Sequence, residues 1–175
     1  MSLTSQLEPI DKKLIGFGTA YALSELNIIR MVGPSAGAVY KEIQTSPSAA
    51  SYRTSVARLT PTTKAKLRSH YIPNFGHPLL YAIALRTGGQ RLAQLTPLSP
   101  TVEKLLTLGP CVGAAADITE NVFRLRMLDD DTAVTDTTVR AASALAVAKW
   151  SLAVGPLVYM TARYVPMWVS GLRNR

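Results

Sequence analysis

The chain has 175 residues, room for one domain, and is 47% hydrophobic and 17% charged, against about a quarter charged in an average soluble domain. Its net charge of +8, pI near 9.9 and mean hydropathy of +0.14 suit anionic lipid or an acidic protein partner. Without zinc-ligand spacing or an aromatic-basic stacking motif, no nucleic-acid partner is expected, and the single cysteine, Cys111, excludes an internal disulfide framework.

Residues 1–13 read as an N-terminal tail. They hold Glu8 and Asp11 and no arginine, which fits neither a secretory signal nor an arginine-rich transit peptide. The domain proper is expected over 14–172, with a short basic tail at 173–175. Four apolar segments divide it, at about 14–40, 72–95, 102–128 and 139–172. Each exceeds the roughly 20 residues a membrane helix needs. Each is also interrupted: Glu25 and Arg30 in the first, His77, Arg86 and Arg91 in the second, Asp117 and Glu120 in the third, Lys149 and Arg163 in the fourth. The expected fold is all-α: an integral membrane bundle of about four helices, with three or four crossings. The first segment is the one that could instead lie in the interface. A soluble bundle of amphipathic helices is the alternative.

The first segment contains Gly33-Pro34-Ser35-Ala36-Gly37 and the third Gly109-Pro110-Cys111-Val112-Gly113. Small residues four apart let helices approach closely in lipid, so Gly33, Gly37, Gly109 and Gly113 are expected helix-packing positions. Gly-Pro, repeated at Gly155-Pro156, predicts kinks. Residues 41–71 are rich in Ser, Thr and Pro and carry six basic residues against Glu42. They read as a long, extended basic loop. Arg86, Arg91 and Arg163 lie near segment ends, where guanidinium groups bind lipid phosphates, so an anionic phospholipid such as cardiolipin is an expected partner. Tyr159, Tyr164 and Trp168 gather near Arg163, Arg173 and Arg175, a headgroup-level pattern.

The third segment carries the densest chemistry. Asp117, Glu120, Asn121 and Arg124 fall at i, i+3, i+4 and i+7 and share one helix face. Lys149, alone in the fourth segment, is the expected counter-ion. The expectation is a structural intramembrane polar network; a proton or ion pathway is the sharper alternative. The run Asp129-Asp130-Asp131 lacks the spacing of a calcium loop, and Asp131 or Thr132 is expected to cap the next helix. His70 and His77 sit in no zinc pattern, and no nucleophile elbow, P-loop or dinucleotide fingerprint is present. No metal, no cofactor and no catalytic residue is expected.

These motifs resemble a family of small, predominantly four-helix integral membrane proteins of unassigned activity. In that family one segment ends Gly-x-x-Gly-Arg-x-x-Tyr, the next opens Asp-x-x-x-Pro-x-x-Tyr, and the third reads Pro, six residues, then Asp-x-x-Glu-Asn. Here Gly33 and Tyr40 are kept with Gly37 in place of arginine, and Pro78 and Tyr81 are kept with Asn74 in place of aspartate. Pro110, Asp117, Glu120 and Asn121 match the third motif in full, and Lys149 resembles the family's last-segment lysine. The similarity spans about Tyr21 to Ala162. Loss of two ionic groups implies a member retained for its shape. The expected function is a non-catalytic accessory subunit of a large energy-transducing complex in the mitochondrial inner membrane, ATP synthase first and a respiratory complex second. Two alternatives stand beside it: an independent ion- or solute-handling membrane protein, and a soluble helical binding module.

Overall fold

A computed structural model describes residues 7–173. They form six α-helices: α1 (Pro9–Gln44), α2 (Ala49–Val56), α3 (Pro61–His70), α4 (His77–Leu95), α5 (Pro100–Asp129) and α6 (Asp136–Arg173). Short 3-10 turns precede α4 and α6, and no strand occurs among the described residues. Helix starts are written locally. Glu8 and Asp11 form a reciprocal capping box ahead of α1, and Ser48, Thr60 and Ser99 each accept a backbone N–H of the first turn of α2, α3 and α5. Pro9, Pro61 and Pro100 take first helical positions, where the missing N–H costs nothing. Thr135 and Thr138 exchange backbone-to-hydroxyl bonds of 3.0 and 3.2 Å at the start of α6. The cap expected of Asp131 or Thr132 is thus displaced: Asp130 caps the 3-10 turn through Thr132 N–H at 2.9 Å.

The long helices stack in the order α1, α4, α5, α6, with α5 packed on both α4 and α6, while α1 and α6 meet at few points. At one end, α2 and α3 fold over the second half of α1 and the junction of α5 with α6. This headpiece buries Ile43, Tyr52, Leu67, Tyr71, Val139 and Ala142 in one core. Residues 41–71, expected as an extended basic loop, therefore fold into two helices. The two caps start them, and Tyr52, Leu67 and Tyr71 anchor them. Their arginines are spent on neighbouring acids: Arg68 grips Asp129 with two bonds of 2.6 and 2.8 Å, Arg53 meets Asp131 at 3.2 Å, and Arg58 pairs with Glu42.

The expected three or four membrane crossings are corrected. Among the described residues one helix, α6 over Asp136–Met167, is long and apolar enough to cross a membrane, with mean hydropathy 1.5. The others fall short for separate reasons. Helix α1 breaks at Gly33 and carries Lys12, Lys13, Glu25 and Arg30. Helix α4 is long enough, but His77, Gln90 and Gln94 with its two arginines hold its hydropathy down, and α5 carries Asp117, Glu120 and Arg124. The tail expected over 1–13 is helical from Pro9 onward; residues 1–6, Arg175 and the side chains of Trp168 and Arg173 lie outside the described part.

The four expected packing glycines divide. Gly109 and Gly113 lie against Leu152 of α6, where a Cβ on Gly113 would stand 3.2 Å from Leu152 Cβ and 3.5 Å from the Lys149 carbonyl. A Cβ on Gly33 or Gly37 would meet no atom of another helix within 4 Å. Gly33 instead adopts φ +69° and ψ 170°, a region open essentially to glycine, and with Pro34 it produces the bend in α1. The tightest approach lies elsewhere, between α4 and α5: a Cβ on Gly89 would sit 2.8 Å from Leu106 Cβ and 3.0 Å from its carbonyl oxygen. Gly89→Ala is therefore expected to destabilise the protein by about 1–3 kcal/mol through overpacking. Gly16→Ala, with nothing within 4 Å, is expected to be neutral or slightly stabilising. Denaturant midpoints of the two variants test the contrast.

Candidate functional site: a buried ionic cluster

Asp117, Glu120, Asn121, Arg124 and Lys149 all meet at the α5–α6 interface. Lys149 Nζ lies 2.9 Å from Asp117 Oδ1 and 2.8 Å from Glu120 Oε2. The second Glu120 oxygen, Oε1, accepts from Arg124 Nε at 3.1 Å. All four side chains are buried, Arg124 and Glu120 almost completely. Two acids and two bases make the group electrically neutral, which is what lets it exist away from water. Gly113, one turn before Asp117, lets the α6 backbone come close enough for the lysine to reach between the two carboxylates.

Further polar contacts tie the cluster to the headpiece. Arg124 Nη2 donates to Ser143 Oγ at 3.4 Å, and Ser143 donates to the Ser46 carbonyl at 2.9 Å. The Arg124 guanidinium carbon lies 5.9 Å from the Tyr52 ring centroid. Asn121 and Asn74 exchange two bonds of 3.0 Å, side chain to side chain and side chain to backbone. These fix the 3-10 turn before α4 against α5.

A second polar group, less visible in the sequence, lies one layer away between α1 and α4. His77 Nε2 is 3.2 Å from Glu25 Oε2, and its Nδ1 is 3.1 Å from Ser24 Oγ. Tyr21 and Tyr81 pack their rings on His77 at 5.2 and 5.9 Å. Of the three arginines expected at lipid headgroups, Arg91 is taken by Glu8 at 3.0 Å and Asp11 at 2.9 Å, latching the start of α1 to α4. Arg86 and Arg163 are exposed, Arg86 lying 3.9 Å from Cys111 Sγ. No signal in the sequence links Arg91 to acids some 80 positions away. Among the described residues no group of three or more His, Cys, Asp or Glu is arranged to hold a metal ion. The arrangement can hold helices in register with its buried charges paired.

No family model, no curated protein and no solved structure matches this chain. The Asp-x-x-Glu-Asn resemblance rests on the residues quoted for it.

Removing the lysine would leave two buried carboxylates against one arginine. Lys149→Met is expected to destabilise the protein by about 3–5 kcal/mol, the usual cost of breaking a buried pair from one side. Adding Asp117→Leu restores a neutral cluster and should recover part of that loss, measured by denaturant unfolding.

A pH dependence follows from His70. It is fully buried, stacked by Tyr40 and Tyr71, with Nδ1 bonded to the Leu67 carbonyl and Nε2 without a protein partner. Burial, with help from the Lys149 charge, lowers its pKa from 6.5 to about 4. The unfolded chain therefore binds the proton first. Stability is full above pH 6.5 and falls as pH drops toward 4, by on the order of 3 kcal/mol. Thermal melts across that interval should show a shallower decline in His70→Phe.

Proposed function

We propose that this chain is a non-catalytic structural subunit of a larger membrane assembly, anchored through α6. One observation carries the reading: large apolar side chains stand exposed over the half of the molecule away from the headpiece. On α6 these include Val147, Trp150, Val154, Leu157 and Val158; on α5, Leu105, Leu108 and Val112; on α1, Ile15, Leu23, Leu26 and Ile29. Contiguous apolar surface on this scale marks contact with lipid or protein.

The charge pattern supports it. Residues 141–162 of α6 contain one charged side chain, Lys149, and that one is buried on α5. Exposed Arg140 and Arg163 bracket the stretch, about 33 Å of helix at 1.5 Å per residue, close to the hydrocarbon thickness. Arginines at both ends suit headgroup phosphates. Residues 105–125 of α5 likewise turn every charge inward, leaving an apolar outer face for a neighbouring subunit. A self-neutralised cluster that ties α5 to α6 supports a structural role.

The test is a native gel of membranes in mild detergent, with this chain's peptides located by mass spectrometry. Co-migration with a large assembly is expected and names the host. A lone small band overturns the subunit reading, and release by carbonate washing overturns the anchor. Val158→Asp, on an exposed α6 position, should leave the isolated protein helical while cutting its recovery in the assembly several-fold.

A further inference from the structure

A cleft runs between α1 and α6, floored by α4. Its wide part is a groove of about 680 Å³ lined mainly by aliphatic side chains, among them Leu14, Leu85, Leu157 and Met160, within the size range of ligand sites. Tyr21, Leu85 and Leu157 also line a pocket of about 70 Å³ that reaches Glu25, His77, Tyr81, Asp117 and Lys149. The two thus share a wall, with the Glu25 and His77 group beyond one end of the groove and the paired Asp11 and Arg91 at the other. From Asp11 to Tyr21 the groove follows about 15 Å of α1.

From this geometry we infer a binding site for a single-chain amphiphile with an uncharged, hydroxyl-bearing head, its chain along the groove and its head at Glu25. Charge selects the head. Lys149 is matched by Asp117 and Glu120, and Glu120 by Arg124. Burial favours the neutral imidazole of His77. Glu25, with its side chain 41% exposed, then meets His77 through a hydrogen bond and keeps its negative charge at this end. It accepts hydroxyl hydrogens and repels a carboxylate or phosphate. Gly18 lines the groove and meets nothing within 4 Å, so the channel's width depends on its missing side chain. The cleft shares Ile15 and Leu157 with the exposed apolar surface of the accessory-subunit reading, but its test reads ligand labelling and not assembly.

The test is photo-crosslinking of the full-length protein in mild detergent with a monoacylglycerol carrying a diazirine in its chain. A fatty acid of the same chain serves as comparison, and labelled peptides are mapped by mass spectrometry. Saturable labelling of the facing stretches of α1, α4 and α6, competed by unlabelled monoacylglycerol, is expected. Gly18→Leu should lower it by about tenfold or more, as a filled apolar pocket does; Val112→Leu, on the outer face of α5, should not. Glu25→Gln should weaken the monoacylglycerol and admit the fatty acid, an exchange that a merely loosened fold would not produce. Diffuse labelling over the outer faces, or labelling unchanged in Gly18→Leu, overturns the site. Equal labelling by the fatty acid in the unaltered protein overturns the choice of head.

Discussion

Lys149 held between Asp117 and Glu120 is the constraint on which the rest of this molecule depends. It joins the last helix to the central one at a single depth and angle, because an ammonium must satisfy two carboxylates whose positions α5 fixes. Arg124 completes the balance and carries the connection into the headpiece through Ser143 and Ser46. Buried charge is costly in isolation, but a neutral, well-paired group specifies one register where aliphatic surfaces alone would allow sliding. The glycines at 109 and 113 serve the same end by letting the α6 backbone approach.

The two ends of the molecule follow different physics. The headpiece closes its own core, spends its arginines on Glu42, Asp129 and Asp131, and shows water a charged surface. The other half buries the Asp117, Glu120, Arg124 and Lys149 group and leaves many aliphatic side chains exposed, with Arg86 and Arg163 among its surface charges. Helix α1 belongs to both: its second half is part of the headpiece core, and beyond the Gly33 bend its first half leans on α4. There it is held by the Glu25–His77 pair and the Arg91 latch. It does not close against α6, and the cleft between them is the direct result.

Several features were legible before any tertiary information. The spacing of Asp117, Glu120, Asn121 and Arg124 placed them on one face, and an isolated lysine in an apolar run needed a partner of opposite sign. The Gly33-Pro34 bend was legible for the same reason, since proline removes a backbone donor. The loop expected over 41–71 was not, because its polar composition hid two good caps and three anchoring side chains. Membrane crossings were overcounted, because hydropathy along the chain does not distinguish a helix facing lipid from one facing its neighbours.

What the sequence determined by itself is local: helix starts at Ser, Thr and Pro, the bend at Gly33, and the gathering of one polar face on α5. Each depends on residues within a turn or two of one another. The tertiary structure alone decided which charges meet, such as Arg91 with Asp11 and His77 with Glu25. It also decided that Gly89 rather than Gly33 marks the closest helix contact, and that α1 and α6 stand apart. Those outcomes depend on how whole helices pack, a property that side chains distant in the chain set jointly and none of them encodes alone.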